Sequence, residues 1–209
     1  SDCDYEKTVS TLVRSSFLNQ GQVCLCSSRI LIENELYDQF KTDFVRKADS
    51  LLVGDPMDMN TKFGAVISEN HLNKILGYIN LAEKDGGDIL CGGNTVKING
   101  NCKNGWFISP TVIDGLGNKC RVNQEEIFGP VVTLIPFSNE EEAINIANES
   151  SYGLSATIWT QDIEKAHRTA EQLDTGTIWI NCWLIRDLRT PFGGMKTSGM
   201  GREGGDEIL

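Results

Sequence analysis

At 209 residues, 40% of them hydrophobic and 23% charged, the chain has a globular composition and enough length for one large domain with its own core. A net charge of −10 offers no basic field to collect phosphates, which argues against nucleic acid or an anionic membrane surface as a partner and favours a small molecule or another protein surface. No apolar run approaches the ~20 residues of a membrane span, and seven cysteines with no signal peptide ahead of them read as free thiols in a reducing, cytoplasmic compartment.

In chain order, Val9, Leu12, Val13, Ser16 and Phe17 fall at helical spacing over residues 4–19, with Gly21 as a stop. A loop holding Cys24 follows. Arg29 to Glu33 reads as a short strand, and Tyr37, Phe40, Phe44 and Leu51 give residues 35–52 a helical stripe. Gly64 to Ser68 reads as a second strand. Leu72, Ile75, Leu76 and Ile79 then mark a helix that runs up to Gly86 and Gly87, after which Asp88 to Cys91 resumes as strand. Residues 92–105, rich in Gly, Asn and Lys, read as an exposed hairpin or loop that ends at Trp106.

Three apolar runs, Val131 to Phe137, Ser155 to Thr160 and Gly176 to Asn181, alternate with helical patterns at 139–148 and 162–174. That alternation implies an α/β fold in three αβα layers, with a mostly parallel sheet joined by crossover helices. Ligands in such sheets gather in loops beyond the carboxyl ends of the strands. The stretch from Asn181 to Gly201 lies where a site is expected.

Cys24 sits between a helix end and a strand, preceded by Gly21 and Gln22, where a tight turn would leave backbone N–H groups free for a developing oxyanion. The bland alternative is a small buried hydrophobe, the commonest state of a free cysteine. A metal site finds little support. Cys24 and Cys26 form the one close cysteine pair, and His71 and His167 lie in ordinary amphipathic helices. For the same reason a Cys–His hydrolase, which needs a histidine base beside the thiol, has no supporting motif.

Four ordered blocks decide between these readings: Asn19-Gln-Gly-Gln-Val-Cys24 with Ser27-Ser-Arg29; Glu125-Glu-Ile-Phe-Gly-Pro130; Tyr152-Gly-Leu-Ser-Ala156; and Asn181 followed by Pro191-Phe-Gly-Gly194 and Ser198-Gly-Met-Gly-Arg202. Together they resemble the catalytic domain of the aldehyde dehydrogenase superfamily over nearly the whole chain. The resemblance implies that Cys24 is the nucleophile, adding as thiolate to an aldehyde, with NAD or NADP as hydride acceptor and an acid as product. It further implies that Glu126 hydrogen-bonds the nicotinamide ribose and that Phe128 packs beside that part of the cofactor; the bland reading makes Glu125 and Glu126 a solvated turn. Cys26 is the weaker candidate, because Cys24 holds the position after Gly-Gln-x.

Arg186 departs from the family's usual aromatic or uncharged residue in the loop that walls the aldehyde pocket. It reads either as a bidentate grip on a substrate carboxylate or as a surface arginine paired with Asp187 or another acid. The run Asn181 to Arg186 and the Cys-Leu-Cys around Cys24 are similar to the subgroup that oxidises the 2-aminomuconate and 2-hydroxymuconate semialdehydes, whose substrates carry a carboxylate. Phe192 resembles a pocket-lining aromatic, with plain core packing as the alternative.

By the resemblance, the dinucleotide-binding domain, an oxyanion-stabilising Asn and a general-base Glu lie ahead of this segment, and a strand that joins a neighbouring subunit follows it. The expectations are therefore a catalytic domain over residues 1–209, little activity in isolation, and a homo-oligomeric parent, dimer or tetramer. The residues that would distinguish NAD from NADP belong to the other domain. The rival reading is a non-catalytic homologue or fragment kept for its contacts.

Overall fold

The computed structural model describes residues 2–205. Packing divides the chain into two compact units, Leu12–Pro136, and Ser1–Thr11 with Phe137–Leu209.

The unit of residues 12–136 is entered through α1 (Tyr5–Phe17), on which Leu12, Val13 and Phe17 are buried. β1 (Arg29–Glu33) alternates as a half-buried strand does, with Ile30 and Ile32 inward. α2 (Tyr37–Asp49) buries Phe40, Phe44 and Ala48, one residue per helical turn. Their rings stack at 5.5 Å between Phe40 and Phe44, and Phe17 lies 6.1 Å from Phe44 and 6.5 Å from Phe63. Each such buried side chain contributes about 1.5–3 kcal/mol of transfer free energy.

Residues 64–68, expected as a strand, form a single antiparallel bridge from Val66 to Trp106. The physical reason is a contact from the Cys24 loop: Ile67 is exposed and donates its N–H to the side-chain oxygen of Gln22 at 3.0 Å, so a ladder cannot propagate. α3 (Glu69–Lys84) begins where Ser68 caps it, its hydroxyl accepting from the His71 N–H at 3.2 Å. Its apolar face, Leu72, Ile75, Ile79 and Ala82, packs into a core with Ile108, Ile113, Val122, Ile127 and Val131.

β2 (Asp88–Cys91) precedes a short hairpin, β3 (Thr95–Val96) against β4 (Phe107–Ile108). β5 (Thr111–Asp114), the short helix α4 (Arg121–Gln124) and β6 (Val131–Phe137) complete the unit. The sheet order is β1-β6-β5-β2, with β5 and β6 parallel and β2 antiparallel to β5. Val131 to Ile135 are all buried, the continuous run expected of a strand covered on both faces. Thr133 is polar within that run, and its hydroxyl donates to the Asn123 side-chain oxygen at 2.6 Å.

In the other unit, α5 (Glu140–Asn148) is capped by Asn139, and α6 (Ile163–Gln172) by Asp162, whose carboxylate accepts from the N–H groups of Glu164 and Lys165. β7 (Tyr152–Gly153), β8 (Ser155–Ile158), β9 (Thr177–Ile180) and β10 (Met195–Lys196) form two pairs. β8 and β9 run parallel across the α6 crossover, while β10 returns antiparallel to β7. Arg168 clamps Glu140 through two bonds of 2.9 and 2.7 Å, fixing α6 against α5.

The fold is thus α/β, parallel across its crossovers, with one refinement of the sequence reading. β6 pairs in the four-stranded sheet, whereas β8 and β9 form a sheet of their own. No helix among the described residues is long and apolar enough to cross a membrane.

Candidate active site

The loop after α1 is built from backbone conformations that most residues avoid. Asn19 (φ 51°), Gln20 (φ 59°) and Gly21 (φ 69°) are successively left-handed. A non-glycine residue there costs about 1–2 kcal/mol, strain of the kind held at functional sites. At Gly21 the reason is close approach: a Cβ would fall 2.1 Å from the Gly129 carbonyl oxygen. Glycine is required so that the loop can lie against the Gly129–Pro130 backbone.

Gln22 then stitches the turn. Its N–H donates to the Asn19 carbonyl at 3.0 Å, the Asn19 amide donates to the Gln22 carbonyl at 3.2 Å, and its own side-chain oxygen holds Ile67. The Cys26 N–H closes a turn on the Val23 carbonyl at 2.9 Å, and the Ser27 N–H ties the exit to the Ser15 carbonyl at 3.1 Å. Cys24 stands at the corner of this turn, exposed, with a backbone N–H that has no partner among the described residues. An exposed thiol beside a free N–H is an arrangement in which an added carbonyl oxygen could be met by a donor.

Cys26, two residues on, differs in kind. It is half-buried, its thiol directed to the Leu18 carbonyl at 3.7 Å, and burial pushes its pKa up to about 11. Against an ordinary thiol near 8.5 that is on the order of a few hundredfold less thiolate at neutral pH. Cys91 is raised to about 11 by the same cause. Iodoacetamide labelling followed by mass spectrometry is therefore expected to modify Cys24 well before Cys26 and Cys91. Equal rates for Cys24 and Cys26 would contradict the environments just described.

The segment 125–130 faces Gly21 and separates the two adjacent acids. Glu125 is spent: Arg121 grips it through bonds of 2.7 and 3.0 Å, and the Tyr78 hydroxyl donates to it at 2.6 Å. The Arg121 guanidinium, then Tyr78, hold its carboxyl down at about 2. Glu126 is exposed and its carboxylate has no partner among the described residues, while its carbonyl accepts from Lys74 Nζ at 2.9 Å. Phe128 is left-handed (φ 58°) and 38% exposed as a residue, with a carbonyl that accepts from His71 Nε2 at 2.6 Å. A free carboxylate next to an open aromatic face suits a ligand that presents hydroxyls and a flat ring.

Sequence reading passed over His71, Lys74 and Tyr78 as ordinary helix residues. They form one stripe of α3, at spacing i, i+3, i+7, and all three hold the 125–128 segment. The stripe was visible in the spacing, but its partner was not.

In the unit of residues 137–209, Asn181 (φ 55°) joins the ends of β8 and β9 by donating to the Thr160 carbonyl at 2.7 Å and accepting its N–H at 3.0 Å. Trp179 Nε1 donates to the Ile185 carbonyl at 2.7 Å, holding the loop that follows. Arg186 pairs with Glu203 at 2.7 Å, and its guanidinium carbon lies 4.0 Å from the centre of the Phe192 ring. Asp187, the neighbour proposed as its partner, is taken by Arg189, whose guanidinium holds that carboxyl below its usual range. Phe192 is partly buried beneath Arg186.

All seven cysteines are free, and among the described residues no group of three His, Cys, Asp or Glu is placed to hold a metal ion. A shallow cavity of about 450 Å³ between α2 and β2, lined by Lys41, Val45, Asp49, Leu90 and Cys91 among others, includes none of the candidate residues.

Comparison with known proteins bears on this geometry. The profile of the aldehyde dehydrogenase family matches residues 1–209. A 2-aminomuconic semialdehyde dehydrogenase of Danio rerio is 48% identical, covering 99% of this chain and 43% of its own length. A 2-aminomuconic 6-semialdehyde dehydrogenase of a Pseudomonas species is 45% identical, covering 100% of this chain and 43% of its own length. Among solved structures, betaine aldehyde dehydrogenase of Staphylococcus aureus in complex with NAD+ superposes with a TM-score of 0.95 at 40% identity, over 99% of this chain and 41% of that one. The chain spans less than half the length of these relatives.

Proposed function

Because the chain belongs to the aldehyde dehydrogenase family, we propose that it carries the nucleophile and the cofactor-facing loop of an NAD(P)-dependent aldehyde oxidation. The observation that carries the reading is Cys24, an exposed thiol at the corner of a pinned turn with its own N–H free. The dinucleotide-binding domain, oxyanion Asn and general base are taken to come from the longer protein, so that residues 1–209 alone turn over little.

The chemistry follows from what these residues can do. The Cys24 thiolate adds to the aldehyde carbon, forming a C–S bond while the carbonyl π pair moves to oxygen. The Cys24 N–H, unpaired among the described residues, would donate to that oxyanion, and such a donor is typically worth about 10²–10³ in rate. NAD(P)+ supplies the acceptor for the hydride that leaves the same carbon, which leaves Cys24 acylated as a thioester. Water then cleaves the thioester, releasing the acid and returning the thiol. Glu126 would accept from the ribose hydroxyls of the cofactor, and its unengaged carboxylate fits that duty; Phe128 offers its exposed ring beside it. His71 and Lys74 hold the carbonyls on either side in place.

For substrate we infer a semialdehyde that carries a carboxylate, of the muconate type, with Arg186 as its anchor. Two things support this: relatives named as muconic semialdehyde dehydrogenases, and a guanidinium stacked on Phe192 with donors to spare. In the full-length dehydrogenase, Arg186→Ala is expected to raise KM for carboxylate-bearing aldehydes about 10- to 100-fold, the loss of charge-assisted hydrogen bonds, with neutral aldehydes little affected. An unchanged KM for the acidic aldehydes would end the Arg186 assignment and leave the family chemistry intact.

A further inference from the structure

The loop from Asn181 to Gly205 contains three arginines, and their surroundings differ. Arg189 is forked on Asp187 through Nε and Nη2. Arg202 turns Nη1 to the carbonyls of Gly194 and Gly201, at 2.8 and 2.9 Å, and Nη2 to the Met195 sulfur at 3.1 Å. Arg186 meets its acid through one nitrogen, Nη2 to Glu203 Oε1 at 2.7 Å, and its Nε and Nη1 have no partner among the described residues.

Glu203 is not at that place by chance of a long side chain. Its backbone is locked opposite Phe192 by two reciprocal bonds, Phe192 N–H to the Glu203 carbonyl and Glu203 N–H to the Phe192 carbonyl, both 2.7 Å. Phe192 is in turn the ring on which the Arg186 guanidinium lies. Ring, cation and acid therefore form one cluster, whose acid is fixed from the main chain and 64% exposed at its side chain. A single-point pair with an exposed carboxylate is weak and exchangeable, whereas a fork-on-fork pair with a second carboxylate is stronger.

We propose that Glu203 is a built-in counter-ion to Arg186 that competes with the carboxylate of substrate and product, and so sets how tightly acidic ligands are held. The proposal rests on the reading of Arg186 as a carboxylate anchor. With ligand away, Glu203 keeps the guanidinium extended over Phe192 and offsets its charge. Both forked edges of the guanidinium include Nη2, so a ligand carboxylate must share or displace Glu203 there; the negative charge of Glu203 repels that carboxylate and draws Arg186 back, favouring release of an acid product that carries one carboxylate more than the substrate.

The test is Glu203→Gln in the full-length dehydrogenase, which keeps an acceptor for Arg186 and removes the charge. Relief of one charge a few ångströms away in a water-like dielectric is expected to lower KM for a carboxylate-bearing semialdehyde about three- to tenfold. The inhibition constant of adipate, a six-carbon dicarboxylate standing in for the acid product, is expected to fall by the same factor, and KM for a neutral aldehyde to stay put. Tightening is diagnostic, since structural damage to the loop would raise these constants. Should Glu203→Gln fail to fold, Glu203→Ser asks the same question with the same expected direction. An adipate constant that rises or does not move overturns the counter-ion proposal. Arg186→Ala run alongside separates the two failures: no effect there sinks the substrate reading, and a normal effect there with none from Glu203→Gln sinks the counter-ion alone.

Discussion

Cys24→Ser in the full-length dehydrogenase is expected to lower kcat by on the order of 10⁴ or more, leaving cofactor binding unchanged, because loss of an enzymic nucleophile removes the step on which the rest depends. The serine hydroxyl keeps the turn, the exposed position and the free N–H, and replaces the sulfur with an oxygen that is a much weaker nucleophile unless a base activates it. Cys26→Ser is the matched control. That thiol is half-buried, raised to about 11 and directed at a carbonyl, and its replacement is expected to leave kcat within about a factor of three. Steady-state assay of NADH formation from an aldehyde, with cofactor affinity measured separately by fluorescence, reads both. A Cys24→Ser protein that keeps turning over, or a Cys26→Ser protein that does not, would move the nucleophile from one cysteine to the other.

How much of this was legible beforehand follows from which forces act locally. β1 and β6 could be read directly, one from alternation at Ile30 and Ile32, the other from an apolar run interrupted by Thr133, as expected of a strand covered on both faces. The caps of α3, α5 and α6 are Ser68, Asn139 and Asp162, residue types that favour this position because their side chains accept from the first free N–H groups. Residues 64–68 misled because Ala65, Val66 and Ile67 make a short apolar run with β-branched residues, while the hydrogen bond that interrupts the ladder comes from Gln22, far away in sequence. β5 was missed because four residues after Pro110 give too short a period to recognise.

The candidate site divides in the same way. Gly21 next to Cys24 was readable as a turn, but its reason, the Gly129 carbonyl, depends on tertiary approach. Glu125 and Glu126 are chemically identical in sequence and were separated by Arg121 and Tyr78, which claim the first and leave the second free. The acid beside Arg186 was open between Asp187 and another; Arg189 takes the near one, and Glu203, brought across by its bridge to Phe192, takes Arg186. Local chemistry was legible, and choices between equivalent partners were not.

Gly21→Ala tests whether the approach of two backbones is what presents Cys24. The new Cβ would lie 2.1 Å from the Gly129 oxygen and 2.4 Å from its carbonyl carbon, distances that no rotamer change can relieve because both sides are main chain. Left-handed φ at 69° adds about 1 kcal/mol for a residue with a Cβ. One of the two segments must move, and either choice shifts chemistry: the turn carries Cys24 three residues on, and the 125–130 segment carries Glu126 and Phe128. The expected cost is about 3 kcal/mol or more, at the upper end of single substitutions, together with a changed labelling rate at Cys24. Gly77→Ala is the contrasting case, on an exposed turn of α3 with nothing within 4 Å of the added carbon. It is expected to be neutral or to stabilise by up to about 1 kcal/mol, from helix propensity and lost unfolded-state freedom. Urea denaturation midpoints and iodoacetamide kinetics on both variants decide the matter. If Gly21→Ala matches Gly77→Ala in both measurements, the contact with Gly129 is not what holds the nucleophile in place, and the strain at Asn19 and Gln20 must be maintained by the side-chain bonds of Asn19 and Gln22 instead.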